Sequence, residues 1–131
     1  MLVVTRHRLP LPGYADAAAA LAAAREVLGV LAERPGFVRG WVGRAVDEGD
    51  LLLLAHEWVD TGSYRRALSA YEVKLRWPFL QTAEDEATAF EVLSARTPEG
   101  GHDRPSDLAA DAGEVGLGSA AGPEVPRGAF G

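Results

Sequence analysis

In the first 95 residues the spacing of apolar side chains alternates between the pattern of a strand and that of a helix. The order of these patterns limits the folds that the sequence can adopt. Met1–Leu9 is rich in β-branched residues and stops at a Pro-x-Pro-Gly turn, which predicts a strand. Residues 14 to 34 then place apolar side chains at steps of three and four, as one face of a helix requires. The side chains of this stripe are Tyr14, Ala17, Leu21, Ala24, Leu28 and Leu31. Pro35-Gly36 ends the predicted helix.

The same succession of strand and helix then repeats with a hairpin inserted. Phe37–Val46 alternates as a second strand, and residues 47 to 50 form a turn that leads into a third strand, Leu51–Val59. Asp60 opens a run of cap-type residues before a second helix. Its predicted apolar face contains Tyr64, Leu68, Tyr71 and Leu75. Pro78 interrupts this helix, and Glu86–Ser94 is the predicted last strand.

The order βαββαβ predicts an α+β fold of the ferredoxin-like type. In this fold a four-stranded antiparallel sheet carries two helices on one face. The third strand indicates what covers the other face, because Leu51–Ala55 is apolar at consecutive positions and a strand apolar on both sides is normally buried on both sides. The sequence therefore predicts a homodimer through the sheet faces, a dimeric α/β barrel. The alternative is a central strand that is simply more hydrophobic than its position requires.

The C-terminal third of the chain has a different composition. Residues 96–131 include eight glycines and four prolines and have few large apolar side chains. Such a stretch buries too little surface to offset a backbone ordering cost of about 1–2 kcal/mol per residue. The predicted organisation is one domain over residues 1–95 and a disordered tail over residues 96–131.

Composition excludes several classes of function. The chain has 131 residues and no cysteine, so disulfide scaffolds, cysteine-ligated zinc and thiol nucleophiles are excluded. A net charge of −6 argues against binding to nucleic acid. No apolar run approaches the roughly 20 residues of a membrane span, and we expect a cytoplasmic protein. The three histidines have no ligand spacing, so no metal site is expected.

Three short motifs, in order along the chain, carry a resemblance to a known family. They are Pro35-Gly36-Phe37 before the second strand, Glu57-Trp58 with Tyr64 six residues after the tryptophan, and the ending Thr88-x-Phe90-Glu91-Val92-Leu93. With them, residues 1–95 resemble the antibiotic biosynthesis monooxygenase (ABM) family of dimeric α/β barrels. The tail is not covered by the resemblance.

The resemblance implies an activity and a place for it. Members that oxidise aromatic polyketides do so with molecular oxygen and without metal or flavin, in a pocket between the sheet and the helices. Their tryptophan and tyrosine correspond to Trp58 and Tyr64. Their carbonyl-binding asparagine corresponds to Leu54, and this chain contains no asparagine. The haem-degrading branch is not supported, because the position of its histidine ligand does not carry histidine here.

The predicted catalytic residues are His7, Trp58 and Tyr64. His7 lies on the first strand, and an imidazole with an ordinary pKa near roughly 6.5 can take a proton from a phenol or an activated C–H. Trp58 and Tyr64 would orient the resulting anion. For each residue packing in the core is the competing explanation, and His56 and Trp58 share a strand face that lines either the pocket or the dimer interface. The predicted substrate-binding residues are Trp41, His56, Tyr71, Arg76 and Trp77.

The function predicted from these observations is a cofactor-independent monooxygenase of secondary metabolism that acts on a small aromatic, polyketide-like compound. Two alternatives use the same fold. One is a dimeric protein that binds a small hydrophobic ligand without turnover, and the missing asparagine favours it. The other is an isomerase or cyclase that uses the same base without oxygen.

Overall fold

The computed structural model describes residues 1–108. The chain divides into two compact units, Met1–Ala89 and a second unit that begins at Phe90. The elements of the first unit are β1 Leu2–Arg8, α1 Ala17–Ala32, β2 Phe37–Arg44, β3 Leu51–Trp58, α2 Thr61–Leu68, α3 Tyr71–Lys74 and α4 Trp77–Leu80. The strand β4 Ala89–Phe90 lies at the boundary, and β5 Ser94–Thr97 and β6 Gly100–Asp103 follow it.

Four strands form one sheet in the order β2-β3-β1-β4, which is the ferredoxin-like order expected from the sequence. β3 pairs antiparallel with both β1 and β2. The register places Val3 opposite His56, Thr5 opposite Leu54 and His7 opposite Leu52. Because directly opposite residues point to the same face, these six side chains share one face of the sheet. Residues 51, 53, 55 and 57 of β3 point to the other face.

Helix α1 covers the first face through a stripe of small and branched side chains. It begins after Asp16, whose carboxylate accepts a hydrogen bond from the Ala19 backbone N–H at 2.8 Å. Its buried residues are Ala20, Ala24, Val27 and Leu31, which pack in one core with Val3, Leu52, Leu54, Trp58 and Phe79. The predicted helix is confirmed. The buried stripe includes Ala24 and Leu31 as expected, but its other buried members are Ala20 and Val27, and Leu28 is only partly buried against the core.

The second predicted helix is broken into three short helices. Asp60 caps α2 as the sequence predicts, with its carboxylate 2.7 Å from the Ser63 backbone N–H, and this hydrogen bond lowers the pKa of Asp60. The chain leaves helical geometry at Ala70, which has extended φ and ψ angles before α3. The prediction that Tyr71 shares a buried face with Tyr64 is therefore wrong. Tyr71 is 70% exposed, and Val73 is the buried residue of α3.

A β-bulge in β2 changes which side chains share a face. Phe37 pairs with Trp58, whereas Arg39 pairs with Glu57, so Val38 is an extra residue in β2. The extra residue shifts the alternation by one position. Phe37 therefore faces the helices, while Arg39 and Trp41 lie on the opposite face, although a regular strand would place all three together.

The C-terminal part of the described chain differs from the prediction in two respects. The last strand of the sheet is only Ala89–Phe90, shorter than the predicted Glu86–Ser94. Ser94–Thr97 and Gly100–Asp103 then form an antiparallel hairpin that lies across the predicted boundary at residue 95. The expectation of disorder from residue 96 is wrong for this hairpin, because Ser94, Arg96 and Asp103 form local hydrogen bonds that composition does not reveal. The remainder of the predicted tail, residues 109–131, lies outside the described residues.

None of the helices in residues 1–108 combines the length and the apolar character that crossing a membrane requires.

Candidate functional site

Three aromatic side chains, each with a polar atom on or in its ring, contact one another on the helix-covered face of the sheet. The ring centroids of His56 and Tyr64 lie 5.8 Å apart, as do those of Trp58 and Tyr64, and those of His56 and Trp58 lie 5.9 Å apart. β3 supplies His56 and Trp58, which lie two residues apart and so point to one face. α2 supplies Tyr64 from its first turns. We call His56, Trp58 and Tyr64 the aromatic cluster.

The residues around the aromatic cluster explain how it is held. The Phe37 ring meets Trp58 edge-on at a centroid distance of 5.4 Å, a contact that the bulge at Val38 makes possible. Gly40 is the residue opposite His56 on β2. A β-carbon at Gly40 would lie 3.1 Å from the His56 Cβ and 2.6 Å from a methyl of Leu28. Any larger residue at position 40 would crowd Leu28 and the His56 side chain, so glycine leaves room for their packing.

His56 is almost completely buried, with 2% of its surface exposed. The Trp58 indole N–H donates a hydrogen bond to His56 Nδ1 at 2.7 Å. Burial disfavours the charged imidazolium and lowers the pKa of His56 from 6.5 to about 4. His56 is therefore neutral at physiological pH and is a weak proton acceptor.

Tyr64 is the half-buried member of the aromatic cluster. Burial raises the pKa of its phenol above the ordinary value, so the hydroxyl keeps its proton at neutral pH. Within residues 1–108 no side chain or backbone group forms a hydrogen bond with this hydroxyl within the usual distance. Tyr64 can therefore donate to an oxygen of a bound molecule while its ring packs against Trp58.

His7, the predicted base, is engaged elsewhere. Its imidazole is fully buried and stacks on Phe79 at a centroid distance of 4.4 Å. The Thr82 hydroxyl donates to the Phe79 carbonyl oxygen at 2.7 Å, which leaves the Thr82 oxygen to accept from His7 Nδ1 at 2.9 Å. Nε2 then accepts from the Thr5 hydroxyl at 2.8 Å. Both ring nitrogens are satisfied by threonines, and burial lowers the pKa of His7 to about 4 despite the nearby carboxylate of Glu84.

The structure separates His7 from the other two predicted catalytic residues. His7 pairs with Leu52, and His56 lies four residues further along β3. Four residues of strand correspond to roughly 13 Å. Trp58 and Tyr64 meet as the sequence predicts, but the histidine beside them is His56. Its position two residues before Trp58 on one strand face was the signal for this pairing, whereas the threonine partners of His7 had no signal in the sequence.

The other predicted substrate-binding residues lie away from the aromatic cluster. Trp41 is 50% exposed on the opposite face of the sheet, where the Arg39 guanidinium carbon lies 5.9 Å from its ring centroid. Trp77 is 49% exposed at the start of α4. Arg76 holds its Nε atom 3.4 Å from a carboxylate oxygen of Glu26 on α1. In the described part of the chain, no aromatic contact joins Trp41, Tyr71 or Trp77 to the cluster.

Leu54 occupies the position at which the resemblance implies a carbonyl-binding asparagine. It is fully buried and belongs to the hydrophobic core with Val3 and Trp58. A leucine offers no hydrogen bond, so polar contacts with a ligand at this face must come from other residues. Across residues 1–108, no three His, Asp or Glu side chains are grouped as ligands for a metal ion.

Comparison with known proteins supports the fold. No family model matches the chain, and no curated protein matches it. SnoaB, a cofactor-independent oxygenase from Streptomyces nogalater, superposes with a TM-score of 0.57 at 20% identity, over 74% of this chain and 93% of that chain. A conserved protein from Methanosarcina mazei Go1 superposes with a TM-score of 0.54 at 18% identity, over 67% of this chain and 84% of that one.

A protein from Chloroflexus aurantiacus J-10-fl, which its name assigns to the antibiotic biosynthesis monooxygenases, superposes with a TM-score of 0.50 at 20% identity, over 70% of this chain and 91% of its own. Identities at this level establish the architecture and leave the reaction to be argued from the side chains. The chain therefore has the ferredoxin-like α+β fold of the antibiotic biosynthesis monooxygenases.

Proposed function

We propose that the protein is a cofactor-independent monooxygenase that oxidises a small, planar aromatic compound with molecular oxygen. The observation that carries this proposal is the aromatic cluster, in which Trp58 and Tyr64 meet beside a neutral histidine on the helix-covered face of the sheet. The similarity to SnoaB, which is named as a cofactor-independent oxygenase, supports the reaction class.

The chemistry that suits these side chains is oxidation of an activated methylene group to a carbonyl. The substrate loses a C–H proton to water, and the resulting enolate gives one electron to oxygen. The substrate radical and superoxide then form a C–O bond, and the peroxide takes up a proton. Loss of water breaks the O–O bond, so that R₂CH₂ and O₂ become R₂C=O and H₂O.

In this reaction the protein binds and stabilises the enolate. The half-buried Tyr64 ring presents apolar surface to an aromatic substrate, and the buried Trp58 ring packs against Tyr64 from inside the core. The Tyr64 hydroxyl donates to the oxygen on which negative charge develops, and donors fixed before the reaction lower the barrier because they need not reorganise. His7 takes no part, because both of its nitrogens are bonded to threonines.

Aerobic incubation with anthrone in the presence of a metal chelator tests the proposal. We expect anthraquinone to form at least about tenfold faster than in buffer, which corresponds to about 1.4 kcal/mol of barrier lowering. One oxygen atom of the product should come from ¹⁸O₂. A rate equal to the spontaneous rate, or a label derived from water, would contradict the proposal for this substrate class.

A dimeric binding protein that holds a hydrophobic ligand without turnover is the second candidate. Two observations favour it: Leu54 places hydrocarbon where a polar contact is expected, and the pKa of His56 is too low for an efficient base at neutral pH. Recovery of a bound aromatic compound unchanged by mass spectrometry would identify this function. A third candidate, an isomerase or cyclase, would turn over its substrate in anaerobic buffer.

We further propose that the protein acts as a homodimer through the sheet face that carries Trp41. On this face Trp41 is half exposed and pairs in register with Ala55, beside the half-buried Leu53. The ion pair of Arg39 and Glu57, at 2.9 Å, lies at the same face. Across a two-fold axis this apolar surface would pack against the same surface of a second chain, and each surface carries one positive and one negative group.

Light scattering at micromolar concentration should give twice the mass of one chain. Trp41→Glu places a charge in the proposed interface and should give the mass of a monomer. Trp77→Glu changes an equally exposed tryptophan on α4 and should leave the dimer intact. A monomeric mass for the unaltered chain would refute the dimer.

A further inference from the structure

The hydrogen bond inside the aromatic cluster determines which nitrogen of His56 carries the proton. The Trp58 indole N–H is a donor only, and it lies 2.7 Å from His56 Nδ1. Nδ1 must therefore present its lone pair. In a neutral imidazole the proton is then on Nε2. His56 is consequently a donor through Nε2–H, with the tautomer set by its neighbour on the same strand.

The surrounding packing fixes the orientation of the His56 imidazole ring. Flipping the imidazole would remove the acceptor of the Trp58 N–H, and a buried donor without a partner is costly. The Trp58 ring is itself held edge-on by Phe37 and is 1% exposed. Burial also keeps His56 neutral, since the pKa of its imidazole falls to about 4.

The Nε2–H of His56 has no acceptor among residues 1–108. Within the described chain, His56 forms one side-chain hydrogen bond, the one to Trp58. The groups around the imidazole are Val3 on β1, Gly40 on β2 and the ring of Tyr64 on α2, which offers aromatic surface. This N–H therefore has no acceptor among the described residues and is available to an oxygen of a ligand or of water.

We propose that Trp58 is a positioning residue that holds His56 as a permanent donor, and that Nε2–H binds an acceptor oxygen of a planar aromatic ligand. The oxygen belongs to a carbonyl, an enolate or a phenolate. The proposal rests on the proposed function in that it names the substrate atom that this site recognises. Ligands of the same shape without such an oxygen bind less well, because they leave Nε2–H unpaired.

Nitrogen-resolved NMR of the histidine ring tests the tautomer without any ligand. In the unaltered chain at pH 7, we expect His56 to show a protonated Nε2 and an unprotonated Nδ1, with no averaging. Trp58→Phe should convert this signal to an average of both tautomers, and Trp77→Phe, a matched change at an exposed tryptophan on α4, should leave it unchanged. A protonated Nδ1 or an averaged signal in the unaltered chain would overturn the proposal.

Binding of fluorenone and fluorene tests the acceptor oxygen. The two ligands share their rings and differ by a carbonyl in place of a methylene. The ratio of the fluorene Kd to the fluorenone Kd, from equilibrium dialysis, should be about fivefold higher in the unaltered protein than in His56→Phe, the effect of one neutral hydrogen bond. An equal ratio in both proteins would overturn the proposal. His102→Gln in the hairpin is the matched histidine control, and it should keep the ratio of the unaltered protein.

The unaltered protein provides a second measurement in case His56→Phe does not fold. Fluorenone should shift the His56 Nε2 resonance, and fluorene should not. Equal shifts with both ligands, or none with fluorenone bound, would refute the role of Nε2–H. Neither probe needs to be oxidised, so this result is independent of the anthrone assay: a binding protein without turnover would pass this test and fail that one.

Discussion

Lowering the pH from 7 to 4 is expected to remove about 6 kcal/mol from the free energy of unfolding, through the two buried histidines. Burial lowers the pKa of His7 and of His56 to about 4, against 6.5 in an unfolded chain. Each difference corresponds to about 3 kcal/mol. A total of this size is comparable with the whole stability of many domains.

The sign follows from where the protons bind. Between pH 6.5 and pH 4 the unfolded chain binds a proton at each of these histidines, while the folded chain leaves both neutral. The stabilisation is therefore complete above pH 6.5 and is lost as the pH falls towards 4. The pKa of the Asp60 carboxyl is already lowered by the Ser63 N–H, so its own contribution is lost only at still lower pH.

Urea unfolding at half-unit steps of pH measures this effect. The free energy should fall by about 2.7 kcal/mol per pH unit near pH 5, the slope for two protons. His7→Gln and His56→Gln should each halve the slope, and His102→Gln, which changes an exposed histidine, should not alter it. If a variant does not fold, the histidine ring signals of the unaltered chain decide the matter, because titration of His7 or His56 near pH 6.5 would contradict the prediction.

Replacing His56 by phenylalanine is expected to lower kcat/KM for anthrone oxidation about 100-fold. This is the usual cost of removing one donor aimed at a developing oxyanion. His7→Gln should change the same quantity by less than about threefold, because His7 is bonded to Thr5 and Thr82 roughly 13 Å along the sheet from His56. The comparison separates the residue that the structure places beside Trp58 from the base that the sequence predicted.

The two variants must be compared while both are folded. Circular dichroism at pH 7.5 and low temperature establishes this, since removing a buried histidine lowers stability in both cases. Tyr64→Phe removes the second donor and should lower kcat/KM by a similar factor. A loss in His7→Gln as large as that in His56→Phe would return the catalytic role to His7.

The order of the elements could be predicted from the sequence because its signals are local. Pro35-Gly36, the turn at residues 47 to 50 and the cap at Asp60 mark boundaries through backbone conformation alone. Trp58 and Tyr64 were likewise predictable, since one ends a strand and the other begins a helix immediately after it. The break at Ala70, which exposes Tyr71, carries no comparable signal, because helical periodicity continues across it.

The site depended on contacts between segments distant in sequence. The extra residue at Val38 turns Phe37 towards Trp58 and turns Trp41 away, a change that strict alternation in β2 does not reveal. His7 is unavailable as a base partly because its Nδ1 is bonded to Thr82, which is 75 residues away in the chain. A histidine's chemistry depends on what its two nitrogens meet, so neither His7 nor His56 could be assigned before their partners were known.

The sequence by itself determined the α+β architecture and the presence of Trp58 and Tyr64 at one end of the third strand. It did so because hydrophobic period and turn residues act over a few neighbouring positions. Only the tertiary structure decided which histidine joins them and in which tautomer. The physical reason is that burial lowers the pKa of both histidines alike, whereas hydrogen bonds satisfy both nitrogens of His7 and leave Nε2–H of His56 without a partner in the described chain.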